Sequence, residues 1–286
     1  MTDNNSILII DFSNTVIRSA AVNSNLDFND VCTGGLYGFT LQLAKQINQY
    51  HPKHILVCQD SPPYLRKQLY PQYKNNRKKI SENSFKQQIV DGFRLAEEFL
   101  NVANVPVWNV KGLEADDLIA HYIRTHHAQY DKIYVLSNDD DLNQLLHYKN
   151  LVLLRKNKEY TYDSFITDYP TIQPEDWILV TALSGTHNGI QGLSRVGVKT
   201  AIKYLNDDTK LEKVYDENRE LIETNYLLIE LPFPQLRVTS LTIPTLERPS
   251  MKETAMSAYL ERYGIRYTNS MMEAFFHYSK RNRLYV

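Results

Sequence analysis

Residues 7–14 read ILIIDFSN: four consecutive apolar residues, then Asp11. A short apolar run that stops at an acid is the signature of a buried strand ending at a polar edge. The same reading recurs downstream. HILVCQD runs into Asp60, and KIYVLSND runs into Asp139. Residues 105–110 form a further short strand. Between these runs the period changes from two to about 3.6, which predicts helices. LYGFTLQLAKQINQY (36–50) follows the glycines at 34 and 35, with Gly38 inside its first turn. A capping box of Ser84 and Gln87 opens a helix reaching about Leu100. GLEADDLIAHYIRTHH (112–127) is a helix with acids in its first turn, and DDLNQLLHY is a short helix. NLVLLRK and EYTYDSF alternate like the two arms of a hairpin. Strands alternating with helices predict a mostly parallel central sheet flanked by helices over roughly residues 5–170. In such sheets, sites form beyond the C-terminal strand ends.

Asp11, Asp60, Asp139 and Asp141 fall there, together with Glu114, Asp116 and Asp117 of GLEADD. Taken one block at a time, each acid reads equally well as a helix cap or as a favourable charge at a helix N-terminus. Taken together they crowd one end of one sheet. Converging carboxylates stay ionised only when cations neutralise them. Mg²⁺ and Mn²⁺ prefer oxygen ligands and serve phosphate chemistry. The pattern predicts a metal-dependent enzyme acting on phosphodiesters. Asp140 faces away from its neighbours and is left out of the set.

The chain has 286 residues and a net charge of −1, which looks wrong for a nucleic-acid binder. The average hides an asymmetry. Residues 61–81 hold Arg66, Lys67, Lys74, Arg77, Lys78 and Lys79 and no acid, and local patches decide polyanion binding. Tyr64, Tyr70 and Tyr73 interleave with these cations and could stack on unpaired bases; the competing reading is a solvated basic loop. No apolar stretch spans a bilayer, and the N-terminus lacks the pattern of a signal peptide. Cys32 and Cys58 read as buried thiols of a reducing cytoplasm rather than as a disulfide. The expected location is cytoplasmic, the host cytoplasm if the chain is phage-encoded.

Further along, GTHNGIQGLSRVGVKTAIKYL (185–205) carries Gly189, Gly192 and Gly197, which permit close approach of backbone to phosphate. A helix starts near Val198, with Lys199 and Thr200 in its first turn, an anion site. On spacing alone, a simple helix–turn–helix packing element explains it as well.

IDFSN, VCQDS, YPQYKNNRKK, GLEADDLIA, SNDDDLNQLL and LSRVGVKTA, in this order, resemble the structure-specific 5′ nucleases, the family of flap endonucleases and 5′-3′ exonucleases. Within it, IDFSN, the YKxNR block and LLIELPF look most like the replication ribonuclease H of T-even phages. The resemblance implies a PIN-like nuclease core over 1–173, with a basic arch or gateway at about 61–100. It also implies a helical DNA-binding region over 174–286, with a helix–three-turn–helix at about 176–206. It assigns Asp11, Asp60, Glu114, Asp116, Asp117, Asp139 and Asp141 to the metal site. Lys74 and Arg77 contact the scissile phosphate and work with Asp11 and Asp139 in catalysis. Arg18, Tyr73, Lys74, Arg77, Gly192, Gly197, Lys199 and Thr200 contact DNA. The implied cofactors are Mg²⁺, replaceable by Mn²⁺, and a K⁺ held by main-chain carbonyls of the helix–three-turn–helix. The implied partners are branched or 5′-ended duplex DNA and RNA–DNA hybrid, met by a monomer, with single-strand-binding or other replication proteins acting in trans. The chain departs from the family at GTHNGIQG, where relatives carry two aspartates of a second metal site. The departure predicts one well-held ion and a weaker second. It also keeps open a DNA-junction binding protein with little nuclease activity. A small PIN-type ribonuclease would leave the basic segment and the Gly-rich region unexplained.

Overall fold

The structure, a computed structural model, describes residues 5–74, 83–186, 189–234, 241–246, 252–266 and 269–281. Arg77 of the basic segment and His187 and Asn188 of the Gly-rich turn lie outside the described residues.

The first apolar run is strand β1 (Ser6–Asp11), buried along its whole length, and it passes directly into helix α1 (Phe12–Val22). A two-residue hairpin not foreseen from sequence, β2 (Asp27–Phe28) and β3 (Val31–Cys32), leads to α2 (Gly34–Tyr50). Then come β4 (His54–Gln59), the short α3 (Arg66–Leu69), α4 (Asn83–Val102), β5 (Val107–Asn109) and α5 (Ala115–His126). β6 (Lys132–Leu136) is followed by a 3₁₀ helix, Asp140–Leu145, where an α-helix was expected. β7 (Leu151–Arg155) and β8 (Lys158–Tyr160) form the predicted hairpin, but its second arm is shorter than EYTYDSF. Thr161 caps a helix there, α6 (Tyr162–Asp168), by accepting from Ser164 N at 3.3 Å. The local Thr–Ser capping chemistry overrides the alternation.

The six-stranded sheet has the order β5-β4-β1-β6-β7-β8, parallel except for the β7–β8 pair. Alternate residues feed opposite faces. Ile7, Ile9, Leu56 and Cys58 pack with α5 and the later helices α7 (Trp177–Ser184), α8 (Val198–Leu205) and α9 (Asp208–Ile229). Leu8, Ile10, Ile55 and Val57 pack under α2, α4, α10 (Glu253–Arg262) and α11 (Asn269–Arg281). On that second face α2 and α4 touch at Gly35 and Gly92; a Cβ on Gly35 would sit 2.5 Å from Gly92 Cα. Both cores draw residues from either side of position 173, so the core and the helical region fold around shared interiors. Cys58 is buried as expected, while Cys32 is only half-buried.

Candidate metal centre

Three parallel strands deliver the acids to one edge. Asp11 ends β1, Asp60 directly follows β4, and Asp139 lies three residues beyond β6. β4 and β6 flank β1 on its two sides. The strand order reverses there, and the connections part to leave a crevice at the carboxyl ends. The start of α5 closes the crevice: Ala115 N donates to Asp60 Oδ1 at 3.0 Å. Glu114, Asp116 and Asp117 thus reach the same edge, with one oxygen from each lying within 4.8 Å of the others.

Several of these acids are also tied into local caps. Asp11 caps α1, accepting from Asn14 N at 3.0 Å. Asp139 caps its 3₁₀ helix, accepting from Asp141 N at 2.9 Å. Glu114 and Asp117 form the capping box of α5. Capping fixes each carboxylate against the backbone, which is how a short loop holds an acid in a defined direction. Asp140, by contrast, turns outward to Arg155 at 3.0 Å.

Charge separates the cluster into two halves. Burial, then the charge of Asp60, pushes the Asp11 carboxyl up to about 8. Hydrogen bonds from Asn14 N and from the Ser137 hydroxyl, at 2.8 Å, only partly offset this. Burial and the neighbouring Asp117 push Asp116 up to about 7. Asp139 raises both. Arg66 and Lys74 pull Asp116 back only in part, so these carboxyls share a polar, enclosed edge where repulsion and burial prevail. A hard divalent cation with oxygen ligands fits such a donor set, and its charge would restore both groups to carboxylates.

The other half is already neutralised. Arg66 is 2% exposed, and its guanidinium lies against Glu114 and Asp117. It donates to Asp117 Oδ1 at 2.8 Å and to Glu114 Oε2 at 3.1 Å. Burial works against its charge, but the Asp117 and Asp116 carboxylates hold its pKa above the usual arginine value. Sequence reasoning gave Arg66 no role beyond its place in the basic segment. Ser137, immediately before the Asp139 block, is a second residue it missed.

Lys74 stands beside the α5 acids. Its Nζ pairs with Glu114 and stands 5.1 Å from the ring centres of Tyr64 and of Tyr73. The backbone reaches this position with φ of 59° at Lys74, a conformation few non-glycine residues adopt. Tyr73 requires a correction. The expected base-stacking ring is 4% exposed, and its hydroxyl donates to Glu114 Oε2 at 2.8 Å. The turn that closes from Tyr73 N to Tyr70 O folds the ring inward, where it walls the site instead of offering a face to solvent. Arg18 is exposed on α1, away from the paired acids, and lines a groove with Lys45, Lys156 and Lys158.

The helix pair of the Gly-rich region is α7 and α8. Gly192 is needed, but for an internal reason: a Cβ there would meet Ser184 C at 2.2 Å. Gly197, the residue before α8, has nothing within 4 Å of such a Cβ, so its backbone is open to close approach. Lys199 and Thr200 occupy the first turn of α8. Asn225 of α9 donates to the carbonyls of Ala182 and Gln191, both at 2.9 Å, and ties this turn to the body.

Comparison with known proteins agrees with this geometry. The family described as 5′-3′ exonuclease, N-terminal resolvase-like domain, matches residues 6–170. The DNA polymerase I of Streptococcus pneumoniae is 30% identical over 225 residues, 75% of this chain and 25% of the relative, so the chain spans about a quarter of that protein's length. A 5′-3′ exonuclease of Buchnera aphidicola is 26% identical over 263 residues, 90% of this chain and 85% of the relative. Among solved structures, the phage T5 5′-exonuclease with divalent metal ions bound superposes with a TM-score of 0.67 at 18% identity, covering 98% of this chain and 99% of that one. The catalytic core of Rad2 in complex with DNA substrate superposes with a TM-score of 0.58 at 14% identity, covering 96% and 92%. The chain belongs to the 5′-3′ exonuclease and flap endonuclease family, whose members are metal-dependent nucleases.

Proposed function

We propose that the chain is a Mg²⁺-dependent, structure-specific 5′ nuclease. It hydrolyses phosphodiester bonds at 5′ flaps, 5′ duplex ends or RNA primers during DNA replication. The observation that carries this reading is the crowded acid edge at the carboxyl ends of β1, β4 and β6, where Asp11, Asp60, Asp116 and Asp139 converge and burial raises Asp11 and Asp116. Asp141 belongs to the same set, since its charge reaches Tyr73 at the wall of the site. A divalent ion held there supplies Lewis-acid stabilisation of the phosphate oxygens and lowers the pKa of the attacking water. The residues do the rest. Asp11, Asp60, Asp116, Asp139 and Asp141 hold the cation and fix the phosphate's line of entry. Lys74, docked on Glu114, can swing its ammonium to the phosphate and offset charge in the transition state. Arg77 extends that role by resemblance alone. Gly197, Lys199 and Thr200 grip the duplex backbone without reading sequence.

The substrates of this reading are branched or 5′-ended duplex DNA and RNA–DNA hybrid, bound by a monomer, with single-strand-binding or other replication proteins acting in trans. Mn²⁺ replaces Mg²⁺. By the same resemblance, main-chain carbonyls of the helix–turn region would hold a K⁺. No described helix is long and apolar enough to cross a membrane, and a replication enzyme works in the cytoplasm. A 5′-labelled flap substrate, incubated with and without Mg²⁺, tests the proposal: release of a labelled 5′ fragment only with metal supports it.

The second reading is a DNA-junction binding protein with weak nuclease activity. The absence of the two family aspartates from GTHNGIQG favours it. Thr186 occupies this stretch with its buried hydroxyl unpartnered, and a neutral hydroxyl brings none of the negative charge that an aspartate gives a divalent cation. Binding of the same flap without cleavage at any Mg²⁺ concentration would select this reading.

A further inference from the structure

One cation of the site is covalently part of the chain. Arg66 Nε donates to Leu228 O at 2.8 Å, and Nη2 reaches Glu230 O at 3.4 Å. The guanidinium stands 4.9 Å over the Phe233 ring. On the acid side, the same fork holds Glu114 and Asp117. Asp117 Oδ1 in turn accepts from Phe233 N at 2.8 Å. Gln144, which follows the Asp139 block, donates to Ile229 O at 3.1 Å and accepts from Leu231 N at 2.9 Å. The strap 228–233 is thus bolted to both acid-bearing elements of the metal edge, and Arg66 is the bolt that touches carboxylates and strap together.

This arrangement fixes two of the α5 acids. A fork that pairs with two carboxylates fixes their planes, because guanidinium and carboxylate match in a bidentate geometry. Glu114 and Asp117 are buried at 1% exposure and satisfied by Arg66, Tyr73 and the backbone. Asp116, between them in sequence, accepts from Asp117 N at 2.8 Å and keeps one oxygen within 4.8 Å of an oxygen of each.

We propose that Arg66 is a positioning residue of the metal centre. It holds Glu114 and Asp117 in one orientation and clamps the 228–233 strap, so that the α5 acids keep a fixed arrangement around the divalent ion. The inference deepens the nuclease reading and rests on the acid edge being a divalent-metal site.

The test is Mn²⁺ binding to the purified full chain, followed by titration calorimetry and by electron paramagnetic resonance, with thermal melting as the folding control. Two variants are compared with the parent. Arg66→Lys keeps the charge and loses the fork. The double variant Arg66→Gln with Asp117→Asn removes the buried ion pair while keeping its shape and hydrogen-bonding capacity, and serves if the lysine variant does not fold. The folded variants bind Mn²⁺ about tenfold or more weakly, the usual size for loss of a residue that orients a ligand. On a 5′-flap substrate, kcat falls while KM stays near the parent value, and part of kcat returns at high Mn²⁺. Mn²⁺ affinity within twofold of the parent in either folded variant overturns the proposal and leaves Arg66 a structural bolt. The outcomes separate from those of the nuclease reading: a parent that binds Mn²⁺ tightly, loses affinity on Arg66→Lys and cuts no flap keeps the positioning role and sinks the substrate assignment.

Discussion

The two halves of the acid cluster sit within a few residues of each other and behave oppositely. Glu114 and Asp117 are enclosed, capped and paired with an arginine. Asp11 and Asp116 are also crowded; Arg66 and Lys74 offset the charge around Asp116 only in part, and the two carboxyls rise to about 8 and about 7. Removing a partner from a buried pair leaves an uncompensated charge and destabilises the fold by about 3–5 kcal/mol. Removing an acid from the open half relieves repulsion. The lesson is that acid count alone does not measure metal-binding capacity. What matters is the carboxylate charge left after internal cations are subtracted.

The contrast can be broken most decisively in the open half. Asp139→Ala should lower single-turnover cleavage of a 5′ flap by about a thousandfold or more, since the Lewis-acid contribution is worth several kcal/mol. Affinity for the flap in Ca²⁺ should hold or rise. Retained cleavage would remove Asp139 from the site. Lys74→Ala touches the boundary between the halves. Its expected effect is a loss of about 10²–10³ in the cleavage step, as for removal of one charge-stabilising donor, with duplex binding little changed. A loss confined to KM would make Lys74 a binding residue only.

A pH series sharpens the comparison further. Asp11 and Asp116 have folded-state values above the ordinary 3.8, so the metal-free native state holds more protons than the unfolded chain between those limits. Their contribution to stability therefore falls as pH rises from the ordinary carboxylate range through about 7 and about 8. A divalent ion must displace those protons, so its gain in Tm should be larger near pH 9 than near pH 6, by roughly a few degrees. An equal gain at both would mean that the ion sits on the already ionised half. The smallest effect belongs to the far helix pair: Lys199→Ala should weaken duplex binding uniformly across sequences and reduce the salt slope by about one. An unchanged slope would show that α8 does not meet the phosphate backbone.

The strand-end acids were legible because burial and chemistry coincide there. An apolar run ending at Asp11, Asp60 or just before Asp139 announces both the strand and the edge it reaches. Arg66 was illegible because its meaning is set far away, by a carbonyl 162 residues later in the chain. Within the run from Arg66 to Lys79 it looks like one more phosphate contact. Tyr73 misled for the same reason: an aromatic between lysines reads as a stacking face, and only the turn at Tyr70 shows that it points inward. The division at 173 followed a real change in composition, from alternating strands to helices. It missed that the helices complete both faces of the sheet.

The strap over Arg66 also bears on how the enzyme can be cut and transplanted. The family segment ends at residue 170, but Arg66 is satisfied by Leu228, and Trp108 Nε1 donates to Thr242 O at 3.0 Å. Excising the matched segment would remove the acceptors of Arg66 Nε and of the Trp108 indole N–H. The smallest portable unit of this protein therefore extends at least through Thr242. A chimera built at the family boundary would carry the strand-end and α5 acids but not the 228–233 strap that bonds to Arg66 and Asp117.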